Sequence, residues 1–128
     1  MATLSAPAGN GSSPIAQSLG GSQTGNGVSN NVIDTGVLTR SALLKILTTV
    51  GATPTCTYQI EGSADLVDWF PVTWADPATP RTLSEASFVI TAALTTLKII
   101  QPGQPFRYLR ITYSANTNVT NSSTLLVF

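Results

Sequence analysis

The chain has 128 residues, of which 42% are hydrophobic, so it is long enough for one domain with a core of ordinary composition. Six basic residues balance six acidic ones and only 9% of the residues are charged, which argues against long-range attraction to nucleic acid or to an anionic membrane. Histidine is absent and Cys56 is the only cysteine, so the commonest general base and any intrachain disulfide are excluded. We therefore expect a protein that is not an enzyme and that needs no cofactor and no metal.

The residues after Met1 (ATLSAPAGNGSS) have neither the basic nor the apolar segment of a secretory signal. No later apolar run is long enough to span a bilayer. We expect synthesis in a cytoplasm, and no membrane partner.

Residues 1–31 contain no charged and no aromatic side chain and are rich in glycine, serine and asparagine. Such a stretch cannot bury enough apolar surface to offset the entropy lost on ordering. We predict an extended arm at residues 1–31, held by a partner surface, and a β-sandwich domain at residues 32–128. Fully extended, the arm would reach about 100 Å. Its isolated apolar residues are the predicted partner contacts: Leu4, Ile15, Leu19 and Val28. The alternative is that the arm folds back over its own domain.

The first strand patterns follow this arm. Residues 37–50 (VLTRSALLKILTTV) are rich in β-branched residues and alternate in part, although Leu38, Ala42 and Ile46 also have helical spacing. We favour a strand. Residues 55–61 alternate cleanly, with Cys56, Tyr58 and Ile60 on the face expected to be buried.

The second half of the chain continues in short strands separated by turn residues. Residues 69–74 (WFPVTW) contain Pro71, which lacks a ladder donor and predicts an edge or bulged strand. Residues 101–105 (QPGQP) predict a rigid turn. Regular spacing of this kind predicts an all-β fold, a single antiparallel β-sandwich of jelly-roll type. The remaining predicted strands are Ser87–Thr91, Thr95–Ile100, Phe106–Tyr113 (with Leu109, Ile111 and Tyr113 inward) and Thr124–Phe128.

Acidic residues cluster around the turn near Asp65. Together with Asp68, Glu61 and Asp76, it could supply oxygen ligands to calcium, or a pair of carboxylates for glycoside hydrolysis. The alternative is an Asx-type turn at Asp65 with the other carboxylates in solvent. Because the spacing is not that of an EF-hand, we expect neither a metal site nor a catalytic site.

Two further groups of residues have alternative interpretations. Cys56 alternates with apolar residues and is expected to be a small buried side chain rather than a nucleophile. Arg107 and Arg110 flank Tyr108 and could clamp a base or a sugar ring, but such arginines more often cover a solvent-facing sheet. With a net charge of zero, we expect no nucleic-acid partner.

The segments YQIEGSADLVDWFPVTW (residues 58–74) and FRYLRITYS (residues 106–114) together resemble a recurring β-sandwich signature. The pattern is similar to that of discoidin-type carbohydrate-binding modules and of small jelly-roll proteins of tailed-bacteriophage virions, including capsid decoration (cement) proteins. Extracellular discoidin modules usually carry a signal peptide and a closing disulfide, and this chain departs from both.

The resemblance to decoration proteins implies a homotrimer on the capsid surface of a virion, with the major capsid protein as its partner. On this basis we predict a virion structural protein, made in the host cytoplasm, that binds the assembled capsid lattice through its arm and stabilises the head.

The alternative prediction is a carbohydrate-binding module of a phage tail or baseplate, or one displayed on the head. Its sugar-binding residues would be Asp65, Trp69, Trp74 and Tyr108.

Overall fold

The computed structural model describes residues 15–36 and 41–127, in which every regular element is a β-strand. The predicted all-β fold is confirmed. The strands are β1 (Ile15–Thr24), β2 (Gly27–Val28), β3 (Ile33–Asp34), β4 (Ala42–Ser63), β5 (Trp69–Pro71), β6 (Trp74–Ala75), β7 (Leu83–Ser84), β8 (Phe88–Ile90), β9 (Thr95–Ile100) and β10 (Tyr108–Val127).

Two long strands, β4 and β10, form the centre of the fold. They pair antiparallel from Tyr108↔Ser63 to Val127↔Ala42, and the register shifts between Ser114 and Val119. A straight strand would separate Tyr113 from Ser123 by about 33 Å. Their side-chain oxygens are instead 3.0 Å apart, so the paired strands bend sharply between these residues.

The bend turns one continuous sheet into two facing layers. The first layer has the order β1, second half of β10, first half of β4, β9, β6 and β7. In the second layer, β2 and β3 flank the first half of β10, while β5 and β8 flank the second half of β4. The architecture is thus a sandwich made by folding one ladder on itself.

The core lies between the layers and is formed by alternate residues of the long strands. Leu44 and Ile46 come from the first half of β4, Tyr58 and Ile60 from its second half, and all four are fully buried. Gly62 is needed at the end of this row because a Cβ atom there would lie 2.8 Å from Phe106 and from Val72.

Polar contacts also join the layers. The Tyr58 hydroxyl donates a hydrogen bond to Oδ1 of Asn121, and the hydroxyl groups of Tyr113 and Ser123 share a hydrogen bond of 3.0 Å. Burial raises the pKa of the Tyr58 hydroxyl far above its ordinary value, so this group stays protonated and remains a donor. The Phe88 ring stacks on Tyr58 at a centroid distance of 5.3 Å.

The predicted strands agree with the structure in most places. Residues 95–100 form β9 as predicted, and the inward faces of residues 56–60 and 109–113 are confirmed. The helical alternative for residues 37–50 is wrong for the described part, which belongs to β4. Alternation from Ala42, Leu44 and Ile46 places Val50 on the inward face, but Val50 is 36% exposed because the ladder bends directly after it. Leu38 lies outside the described residues.

The boundary predicted at residue 31 is corrected by the structure. Residues 15–24 form strand β1, which pairs with β10 from Ile15↔Val127 to Thr24↔Thr120. Leu19 is fully buried in the core, and Asn31 donates its backbone N–H to the Leu19 carbonyl. Residues 15–31 therefore fold back over their own domain, and Leu19 is a core residue rather than a partner contact.

Leu19→Ala tests this correction. Removing a fully buried leucine side chain is expected to lower the free energy of unfolding by about 2–5 kcal/mol, as measured by chemical denaturation. Val28→Ala is the matched control because Val28 is 48% exposed, and it should change stability little. Equal stability of the two variants would contradict the assignment of β1 to the core.

Candidate functional site

The outer face of the second layer brings together several of the residues singled out in the sequence. Tyr108 pairs with Asp34 on one side and with Ser63 on the other, and Ser63 pairs in turn with Trp69. Directly paired residues share a face of the sheet. Tyr108 and Trp69 therefore lie in one outward row, two strands or about 10 Å apart.

An ion pair covers Trp69. Nε of Arg110 lies 2.9 Å from Oε1 of Glu61, and the Arg110 guanidinium carbon lies 3.9 Å from the centre of the Trp69 ring. Both charged side chains are about four-fifths buried. The contact is a cation–π interaction that occupies one face of the ring. Arg110, which was predicted to face solvent, is thus fixed by its contacts with Glu61 and Trp69.

A second ion pair lies beside Tyr108. Arg107 contacts both carboxylate oxygens of Asp34, at 2.8 and 2.9 Å, and its guanidinium carbon is 5.5 Å from the Tyr108 ring centre. The hydrogen bond from Arg107, reinforced by the backbone N–H of Gly36, lowers the pKa of Asp34. Because both charged side chains are about half exposed, solvent screens this pair.

Asp65 orders the loop of residues 64–68. Its Oδ1 accepts the backbone N–H groups of Asp68 and Val67, each at 2.9 Å, and these bonds lower the pKa of the carboxyl group. The Ser63 hydroxyl oxygen accepts the N–H of Leu66, which has a positive φ of 67°. The Asx-type interpretation of Asp65 is confirmed, and the loop presents Leu66 and Val67 to solvent.

Trp74 does not belong with Trp69 and Tyr108. It is only 7% exposed, and its indole N–H donates to the carbonyl of Ala86 at 3.2 Å. Nζ of Lys98 lies 4.2 Å from the Trp74 ring centre and 2.5 Å from Asp76. The predicted sugar-binding role of Trp74 is wrong because the ring faces the interior of the sandwich.

Three of the four acidic residues near the turn are occupied by other contacts, and Asp68 is the exception. Glu61 pairs with Arg110, Asp76 pairs with Lys98, and Asp65 binds backbone N–H groups. Within residues 15–36 and 41–127, no three His, Cys, Asp or Glu side chains are grouped as metal ligands. Cys56 is fully buried, as predicted, and burial raises the pKa of its thiol.

A polar cleft lies over the bend and was not expected from the sequence. Its lining includes Thr24, Thr49, Asn116, Asn118 and Thr120, none of which titrates near neutral pH. Asn116 is already engaged, since its amide group bonds the backbone of Gly25 and of Val119. The cleft offers hydroxyl and amide groups but no acid or base.

Lys45 lies on the outer face of the first layer between leucine and hydroxyl side chains. On strand β4, Leu43, Lys45 and Leu47 point outward, because the residues between them, such as Leu44, face the core. Lys45 pairs with Leu97 of β9 on one side and with Thr124 of β10 on the other. We call the four outward residues Leu43, Lys45, Leu47 and Leu97 the Lys45 patch. The alternation of residues 42–47 in the sequence already indicates this outward face.

Of the other three residues predicted to contact a partner, the structure shows the side chain of one, Val28. Val28 is exposed on β2 and remains available to a partner. Leu4 and the side chain of Ile15 lie outside the described part of the structure. Over residues 15–36 and 41–127 there is no helix long and apolar enough to cross a membrane.

No protein-family model matches the chain, and no curated protein matches its sequence. Among solved structures, the fold is similar to the crystal structure of the SPBc2 prophage-derived protein YomS, with a TM-score of 0.63 and 7% sequence identity. The similarity covers 90% of this chain and 93% of the prophage protein. At this identity the comparison establishes a shared β fold over nearly the full length of both chains.

The carboxylate contacts predict the direction of acid destabilisation. Asp34 and Asp65 have pKa values below the ordinary value of 3.8, so their stabilising contacts are complete above that value and are lost as the pH falls through the folded-state pKa. The melting temperature of Asp34→Asn should be below that of the wild type at pH 7, and the difference should vanish in strong acid. Glu85→Gln is the control, since Glu85 has no ion-pair partner among the described residues. A difference for Asp34→Asn that persists at low pH would contradict the ion-pair assignment.

Proposed function

We propose that this chain is a non-catalytic structural component of a phage particle, and specifically a capsid decoration protein that binds the assembled shell of the major capsid protein. The observation that carries the proposal is the fold shared with a prophage-derived protein across nearly the whole of both chains. The sequence resemblance of residues 58–74 and 106–114 to decoration proteins supports the same role.

The charge distribution supports attachment by apolar and hydrogen-bonded contacts rather than by a long-range field. Three ion pairs involve Lys98, Arg107 and Arg110, and each is satisfied within the chain. The net charge is zero. Association with capsid should therefore depend little on ionic strength, unlike binding to nucleic acid.

Because β1 is part of the sandwich, the proposed capsid contact lies nearer to the start of the chain than residues 15–31. Since residues 15–31 are part of the sandwich, the proposal assigns the contact to residues 1–14, with Leu4 as an apolar anchor, and to the exposed Val28. Fourteen residues reach about 46 Å when extended. Binding to assembled shells in preference to free subunits stabilises the shell by mass action, and many copies add their effects.

The proposal is tested with empty shells of the corresponding phage, prepared with and without the protein. Decorated shells should melt at a higher temperature, because ligand binding to the assembled state shifts the equilibrium. A chain lacking residues 2–14 should keep its own melting temperature but no longer sediment with shells. Leu83→Ser, which alters an exposed side chain on β7 at the opposite edge of the first layer from β1, should still sediment with shells. Equal melting of decorated and bare shells would contradict the proposal.

A carbohydrate-binding role is the second candidate, favoured by the outward row that contains Trp69 and Tyr108. Both side chains are partly exposed beside an arginine. Glycan-array binding lost in Trp69→Ala, with the melting temperature retained, would favour this role over decoration. Trp74→Ala is unsuitable for the test because it removes a core side chain.

A further inference from the structure

The loop of residues 64–68 exposes two aliphatic side chains at an energetic cost. Leu66 and Val67 are 51% and 75% exposed, and Leu66 adopts a left-handed backbone conformation that disfavours a side chain. The backbone N–H groups of Leu66 and Val67 donate hydrogen bonds to Ser63 and Asp65, which hold the loop in this shape. A rigid loop that projects apolar side chains loses little entropy on binding, which is typical of a protein contact.

The loop also carries an acidic group that no basic side chain neutralises within the chain. Asp68 is exposed and forms no ion pair among the described residues. The loop therefore presents the sequence Leu-Val-Asp to solvent, with two apolar side chains followed by a free carboxylate.

The Lys45 patch has the complementary character. Leu43, Leu47 and Leu97 flank Lys45 on three sides of the outer face of the first layer, with Thr124 on the fourth, and Leu47 is 46% exposed. Lys45 likewise has no ion-pair partner in the described ranges. A surface with one ammonium group among leucines fits a partner that offers one carboxylate beside aliphatic side chains.

We propose that copies of this chain associate head to tail, with the loop of residues 64–68 of one copy docked on the Lys45 patch of the next. Asp68 then pairs with Lys45, while Leu66 and Val67 contact the leucines of the patch. The loop belongs to the second layer and the patch is the outer surface of the first, so the sites do not overlap. One copy can use both, and such heterologous contacts build closed rings or open chains. The association does not require capsid and is independent of the proposed function.

Charge exchange provides the test. Lys45→Asp and Asp68→Lys each place like charges at the contact and should weaken self-association about tenfold or more, as measured by sedimentation velocity of the purified full chain. An equimolar mixture of the two variants should regain association. Lys45 of one variant then meets Asp68 of the other, and the two introduced charges also attract each other. An effect within one molecule could not produce this recovery.

Two controls make the same changes of charge elsewhere. Glu85→Lys and Arg81→Asp alter exposed residues that lie outside the loop and outside the Lys45 patch, and both should associate as the wild type does. Melting temperatures of all variants show whether the fold is retained. Val67→Ser removes an apolar contact without changing the charge, so it should weaken association and neither charge variant should restore it.

Three results would overturn the proposal. The first is a wild-type chain that stays monomeric up to high micromolar concentration. The second is a mixture of the two charge variants that associates no better than either alone. The third is a full chain that is monomeric but associates once residues 2–14 are removed, because the patch would then be covered by the chain's own first residues.

Discussion

The bend in the β4–β10 ladder is the constraint on which the rest of the structure depends. Residues 51–54 and 115–118 interrupt the register, and Thr53, Ala115 and Asn118 have positive φ angles there. The Asn118 side-chain amide donates to the carbonyl of Ala52 at 2.7 Å, and Oδ1 of Asn116 accepts the N–H of Val119. These side chains replace ladder hydrogen bonds where the strands turn. Without the turn, the apolar faces of the two halves would point in one direction and could not bury each other.

The sequence predicts the strands well where alternation is local, as in Cys56, Tyr58 and Ile60, and predicts their connection poorly. The stretch GATP at residues 51–54 has turn composition and suggests that one strand ends before another begins. In the structure it is a bend inside a single strand, because both flanking segments pair with the same partner, β10. Strand β1 was not predicted for another reason. Its sequence is polar and glycine-rich, and it is ordered by pairing with β10, about a hundred residues later in the chain. Amino-acid composition contains no information about such a distant pairing.

In the candidate sites too, contacts between residues close in sequence are predicted, whereas contacts between neighbouring strands are not. The turn at Asp65 depends on residues within four positions and is predicted correctly. Trp69 and Trp74 lie on different strands, β5 and β6, in different layers, so alternation along one strand could not separate the half-buried ring from the buried one. The arginine above Trp69 and the leucines around Lys45 come from neighbouring strands. Those contacts depend on the pairing register, which one sequence does not reveal.

The position of β10 has a consequence for biosynthesis. This strand is made last among the described elements, yet it lies in the middle of both layers and pairs with β1, β2, β3 and β4. While a ribosome is still adding residues 108–127, β1, β2 and β3 have no partner strand and one edge of β4 is open, although β4 can already pair with β5, β8 and β9. Completion of both layers must therefore follow translation of this segment, and chains that end before it expose strand edges that favour aggregation.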